Sequence, residues 1–98
     1  MKERITKNEE RLDNIIKSVN NLNNALTSFS KEKKNIILLS NYYKSKKWLK
    51  DKDDYESGKI SNIKAGVLSE DLVWNTLENI DELLNEMEIL IKFLKKRR

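Results

Sequence analysis

Residues 69–98 read SEDLVWNTLENIDELLNEMEILIKFLKKRR, and this stretch gives the strongest indication of the fold class. Ser69 can cap a helix because its side chain can accept a hydrogen bond from a free backbone N–H, and two acids follow it in the first turn. The apolar residues then recur at alternating spacings of four and three: Val73, Leu77, Ile80, Leu84, Met87, Ile91 and Leu94. This period predicts an amphipathic helix over about residues 70–96.

The first third of the chain repeats apolar residues with heptad spacing. The two core positions of the repeat are filled by Ile5, Leu12, Val19 and Leu26, and by Ile15, Leu22, Phe29 and Ile36. Asn8 and Lys33 occupy the two polar slots. Four to five heptads of this kind are typical of a long helix in a bundle or coiled coil. We expect a helix from about residue 3 to 43, with residues 30–33 as the place where it would bend.

A short helix is predicted between the two long ones. Ser45 can cap a helix over residues 46–56, and Gly58 suits the left-handed position just beyond its end. Residues 58–68 then read as an ordered loop with a few apolar anchors. The sequence therefore predicts an all-α fold, a small helical bundle. Its two long antiparallel helices would be joined by the short helix and the loop, in a single domain over residues 1–98.

The composition excludes several classes of protein. The 98 residues include no proline, histidine or cysteine and only two glycines, so an all-β fold with many tight turns is excluded. Disulfides, thiol nucleophiles, histidine catalysis and the usual zinc sites are excluded as well. We expect no enzyme activity, no cofactor and no metal. Since no apolar run approaches the ~20 residues of a membrane span, a cytoplasmic protein is expected.

One stretch carries a family resemblance. Residues 42–51 read YYKSKKWLKD, Gly58 follows, and residues 66–71 read GVLSED. This combination resembles a family of short bacterial proteins catalogued as domain of unknown function 4298. The resemblance implies a chain of this length that ends in a similar helix, and it implies no activity. It draws attention to a set of polar and aromatic side chains: Tyr43, Ser45, Trp48, Asp51, Ser69 and Asp71. In place of the proline and basic residue expected before GVLSED, this chain has KISNIKA at residues 59–65.

Five of the seven aromatic residues fall within residues 42–74, Trp74 among them, and Asp51 lies near them. A tyrosine hydroxyl, an indole N–H and a carboxylate could line a small ligand pocket. The alternative is that these side chains pack where the short helix meets the long ones. Asp51 would then accept a hydrogen bond from Tyr43, an indole or a backbone N–H. We favour the packing role.

The charged residues around Trp48 suggest two further sites. Five lysines between Lys44 and Lys52 flank Trp48, a pattern that could follow a phosphate backbone and stack a base. Aspartates at positions 51, 53 and 54 would repel phosphate, so nucleic-acid binding is an alternative that we do not favour. The acidic run from Asp51 also fails as a calcium loop, because Tyr55 and Glu56 stand where an oxygen ligand and a glycine are required.

The two predicted helices differ in length, so part of the first apolar stripe would lack a partner within one bundle. Either residues 46–68 or a second copy of the chain would have to cover it. We therefore expect a small helical interaction protein that is a homo-oligomer, a dimer in the simplest case, or binds another protein. The alternative is an accessory protein that binds nucleic acid through residues 44–52.

Overall fold

The structure is a computed structural model that describes all 98 residues. It contains four α-helices and no strand: α1 is Lys2–Ser30, α2 is Lys33–Tyr43, α3 is Lys46–Glu56 and α4 is Glu70–Lys95. A short 3₁₀ turn, Gly66–Leu68, precedes α4. The predicted all-α class is confirmed. None of the helices is both long enough and apolar enough to cross a membrane.

The predicted first helix is divided into α1 and α2 at residues 31–32. The backbone N–H of Glu32 donates to the Phe29 carbonyl at 2.9 Å, three residues earlier, so the chain tightens there into a 3₁₀-type turn. The Ile36 N–H donates to the Glu32 carbonyl at 2.9 Å, which restores the α-helical spacing. The break therefore falls inside the region where a bend was expected.

Local chemistry places the ends of α3 and α4 as predicted. The Ser45 hydroxyl accepts a hydrogen bond from the Trp48 N–H at 3.3 Å, and the Ser69 hydroxyl accepts one from the Leu72 N–H at 3.4 Å. Gly58 has φ +85°, the left-handed conformation that favours glycine. The N–H groups of Gly58 and Lys59 donate to the carbonyls of Tyr55 and Asp54, which closes α3 with a Schellman motif.

Contacts divide the chain into two units, residues 1–38 and residues 39–98. In the first unit, α1 has no buried residue. In the second unit, the 3₁₀ turn contacts both α3 and α4, and the core consists of Trp48, Leu68 and Val73. The antiparallel pairing of the long helices and the single domain stay predictions.

Candidate functional site

Trp48 is the centre of a small cluster in residues 39–98, which we call the corner cluster: Tyr42, Tyr43, Trp48, Asp51, Leu68 and Val73. The indole N–H of Trp48 donates to the Val67 carbonyl at 2.9 Å. The Tyr43 ring meets the indole edge-to-face, with ring centroids 4.8 Å apart and planes at 75°. The Lys52 ammonium lies 5.5 Å from the centroid of the indole ring, within range of a cation–π contact. The buried indole is thus held by a hydrogen bond at its edge and by partners around its ring.

Asp51 is a hydrogen-bond acceptor, as the packing role requires, and its donor is the Tyr42 hydroxyl at 2.5 Å. The sequence predicted Tyr43, an indole or a backbone N–H as the donor, and the structure shows Tyr42 in that role. The neutral Tyr42 hydroxyl can donate this bond. A deprotonated Tyr42 would have no proton to donate, and its negative charge would be repelled by the Asp51 carboxylate. The hydrogen bond to Asp51, with smaller contributions from burial and from the Asp51 charge, raises the pKa of Tyr42 to about 12.

The candidate residues from the sequence fall into three places. Tyr43, Trp48 and Asp51 belong to the corner cluster, and Ser45 caps α3 beside it while donating to the Tyr42 carbonyl at 2.6 Å. Ser69 caps α4, and Asp71 is exposed in the first turn of that helix. Trp74 is 56% exposed and is not part of the buried core.

A groove of about 650 Å³ runs along α4 within residues 39–98. Its apolar lining includes Tyr43, Trp74 and Leu77. Its acidic lining is Glu78, Asp81 and Glu82, and Lys44 lines it as well. This acidic lining was not predicted from the sequence, although residues three and four apart on a helix share a side. An exposed tryptophan in the same groove as three carboxylates suits a cationic group. We call this feature the acidic groove.

The basic stretch around Trp48 is compensated by nearby acids. The Lys50 ammonium lies 2.8 Å from the Asp54 carboxylate, and Lys59 lies 3.9 Å from the same group. The hydrogen bond between Lys50 and Asp54 lowers the pKa of Asp54 and raises the pKa of Lys50. Lys52 lies 3.8 Å from both Glu56 and Glu70. A phosphate approaching these lysines would compete with carboxylates, which disfavours nucleic-acid binding here.

The polar groups of the corner cluster serve one another. Every buried side-chain nitrogen and oxygen atom of the chain has a hydrogen-bond partner. No group of three or more acidic side chains comes close enough together to hold a metal ion. Because satisfied polar groups are the rule in a packed interior, these contacts favour the packing role for Trp48 and Asp51 over a ligand pocket.

The Tyr42–Asp51 bond gives a prediction that depends on pH. We expect Asp51→Asn to lower the free energy of unfolding by about 1–2 kcal/mol near pH 8, since a neutral acceptor replaces a charged one. Because the pKa of Tyr42 is raised in the folded chain, its protonated hydroxyl stabilises the fold. This contribution is fully present below pH ~10 and is lost as the pH rises towards 12. The difference between the two proteins should therefore shrink over this range.

Chemical denaturation at a series of pH values, followed by circular dichroism, measures both effects. Tyr42→Phe is the matched control, because it removes the titrating hydroxyl and should show the same convergence with the original chain. A stabilised Asp51→Asn variant near pH 8 would contradict the packing role, because relief of a strained carboxylate is a mark of a functional site.

Comparison with known proteins adds a family to this geometry. No curated protein and no solved structure matches the chain. The sequence model of the family described as "Domain of unknown function (DUF4298)" matches residues 5–90. This match includes most of α1 and α4 and the whole corner cluster. The chain therefore belongs to the DUF4298 family.

Proposed function

We propose that this chain is a small helical interaction protein that self-associates through the apolar stripes of α1 and α4. One observation carries the proposal: long, regular apolar stripes stand exposed on both helices of the single chain. Contiguous exposed apolar surface of this extent is typical of an interface between proteins. A second copy of the same chain is the simplest partner that offers complementary stripes.

The α1 stripe shows the pattern of a surface meant for another helix. Its heptad residues Ile5, Leu12, Val19 and Leu26 are all about half-exposed. Heptad spacing keeps one face directed at a partner as two helices supercoil, which an isolated surface helix does not need. Its opposite face is rich in lysine, glutamate and asparagine, as solvent contact requires. We therefore assign α1 to an interface.

The second half of α4 carries the other stripe. Leu84, Met87, Ile91 and Leu94 are exposed, although the same stripe begins with the buried Val73. The 3₁₀ turn contacts α4 near its start, which explains the burial there. The stripe continues well beyond that contact, and Leu83 and Leu90 widen it. This part of α4 is as apolar on one face as a buried helix, yet that face is exposed.

The mass of the chain in solution tests the proposal. At tens of micromolar, sedimentation equilibrium or light scattering should give about twice the 11.6 kDa of one chain. The measured mass should fall on dilution, because association through half-exposed stripes is reversible. A mass of 11.6 kDa throughout this range would contradict self-association.

Nucleic-acid binding receives no comparable support. Lys50 and Lys52, which would contact the phosphates, lie beside carboxylates. The acidic groove would repel a polyanion. Both observations support protein association over the alternative function.

A further inference from the structure

The charges along α4 and the residues after it are divided into two blocks. Residues 70–88 contain seven acidic and no basic residues, whereas residues 89–98 contain five basic and no acidic residues. The acidic block includes the acidic groove, which lies beside the exposed Trp74. The basic block contains the last two residues of the exposed apolar stripe, Ile91 and Leu94. One helix thus carries an acidic surface and its basic complement at opposite ends.

We infer that the acidic groove binds the basic end of α4 from a second copy, in an antiparallel and reciprocal pair of α4 helices. This inference rests on the self-association proposed above and adds its surface and orientation. A parallel pair would align acidic with acidic and basic with basic blocks, which is unfavourable. An antiparallel pair places each basic end against the other copy's acids. The same contact then occurs twice, as a two-fold interface requires.

The apolar spacing of α4 selects one register for this pair. With the two-fold axis near residues 88 and 89, Leu84 of one copy forms a layer with Leu94 of the other, and Met87 with Ile91. Asp81 of each copy then flanks this core opposite Lys95 of the other. The two pairs lie about 20 Å apart along the helix, at 1.5 Å per residue.

A shift by one heptad towards full overlap is less favourable. It would set Asp81 against Glu88 of the other copy, so two acid pairs would replace two opposite-charge pairs. The stripe would then have to extend to Leu77, close to Val73, which is already buried within its own chain. The register centred near residue 88 instead uses the part of the stripe that the chain leaves exposed. Between the two α4 helices its one like-charge contact is Glu88 with its own copy at the axis. Lys44 also lines the acidic groove, where three acids outnumber it.

Cysteine crosslinking tests the orientation directly, because the chain contains no cysteine. Positions 81 and 95 are exposed, so single cysteines there should leave the fold intact. An equimolar mixture of the Asp81→Cys and Lys95→Cys chains, mildly oxidised, should give mainly the mixed disulfide. Lys95→Cys alone should give little crosslinked product. Efficient crosslinking of Lys95→Cys with itself would overturn the antiparallel arrangement.

Charge reversal gives a second, independent measurement. Asp81→Lys or Lys95→Glu alone should weaken dimerisation about tenfold, because each change turns two attractive pairs into repulsive ones. The double variant Asp81→Lys/Lys95→Glu should recover the original dissociation constant. Asn79→Lys is the control, because position 79 lies away from the stripe and should change the constant little.

The failures are distinguishable. A chain that is monomeric before any substitution contradicts the proposed self-association. A dimer that forms no mixed disulfide and ignores both charge reversals leaves self-association intact and overturns the α4 pairing alone, which would direct attention to the α1 stripe.

Discussion

Replacing Trp48 by alanine is expected to lower the free energy of unfolding by about 3–5 kcal/mol. Trp48 is only 5% exposed, so the substitution opens a cavity the size of an indole. It also leaves the Val67 carbonyl without its donor and removes the ring that Tyr43 contacts. Because the core of residues 39–98 has only two other members, Leu68 and Val73, few buried side chains are present to fill that cavity.

Trp74→Ala is the matched control for this prediction. Trp74 is 56% exposed, so the same chemical change should alter the free energy of unfolding by about 1 kcal/mol or less. Chemical denaturation followed by far-ultraviolet circular dichroism gives both values, at one protein concentration because association shifts apparent stability. Equal losses for the two variants would contradict the assignment of Trp48 as the centre of the core.

The helix ends could be predicted from the sequence because they depend on nearest neighbours. Ser45 and Ser69 cap the helices that follow them with their own hydroxyls, and Gly58 supplies the left-handed conformation after α3. Each signal acts within three or four residues of its source. The division at residues 31–32 is also local, but the stretch has no glycine or proline, so the sequence marked it only as a place for a bend.

The contacts of the corner cluster could not be predicted, because they join parts of the chain that are far apart in sequence. The acceptor for the Trp48 indole lies nineteen residues further on, and the donor to Asp51 lies nine residues earlier, across the turn at Ser45. Helical periodicity ranks positions 42 and 43 alike as candidates. The packing of the turn selects Tyr42 for Asp51 and Tyr43 for Trp48.

Trp74 shows the same limit from the other direction. It follows Val73, the most buried residue of the core, yet it is mostly exposed and lines the acidic groove. An amphipathic pattern predicts which side of a helix is apolar. Whether a residue at the edge of the apolar side is buried depends on how far the neighbouring element extends. Here that element is the 3₁₀ turn, which is only three residues long, and Trp74 stays exposed.

Leu68→Ala is expected to lower the free energy of unfolding by about 2–5 kcal/mol, although it lies in a short turn outside the α-helices. Leu68 is 8% exposed and anchors the 3₁₀ turn, which contacts both α3 and α4. The turn itself has few hydrogen bonds. Among them, the Leu68 N–H donates to the Ala65 carbonyl and the Ser69 N–H donates to the Gly66 carbonyl, each at 3.0 Å. Losing the anchor should therefore loosen the turn and with it the Val67 carbonyl that Trp48 contacts.

Leu49→Ala is the control, because Leu49 lies in α3 with 58% of its surface exposed, and its loss should be about 1 kcal/mol or less. The double variant Trp48→Ala/Leu68→Ala makes the prediction sharper. Both side chains act through the same turn. The double variant should therefore lose less free energy of unfolding than the sum of the two single losses, by about 0.5–3 kcal/mol. Strict additivity in this cycle would mean that the turn holds its place without Leu68, and that Trp48 is supported by α3 and Tyr43 alone.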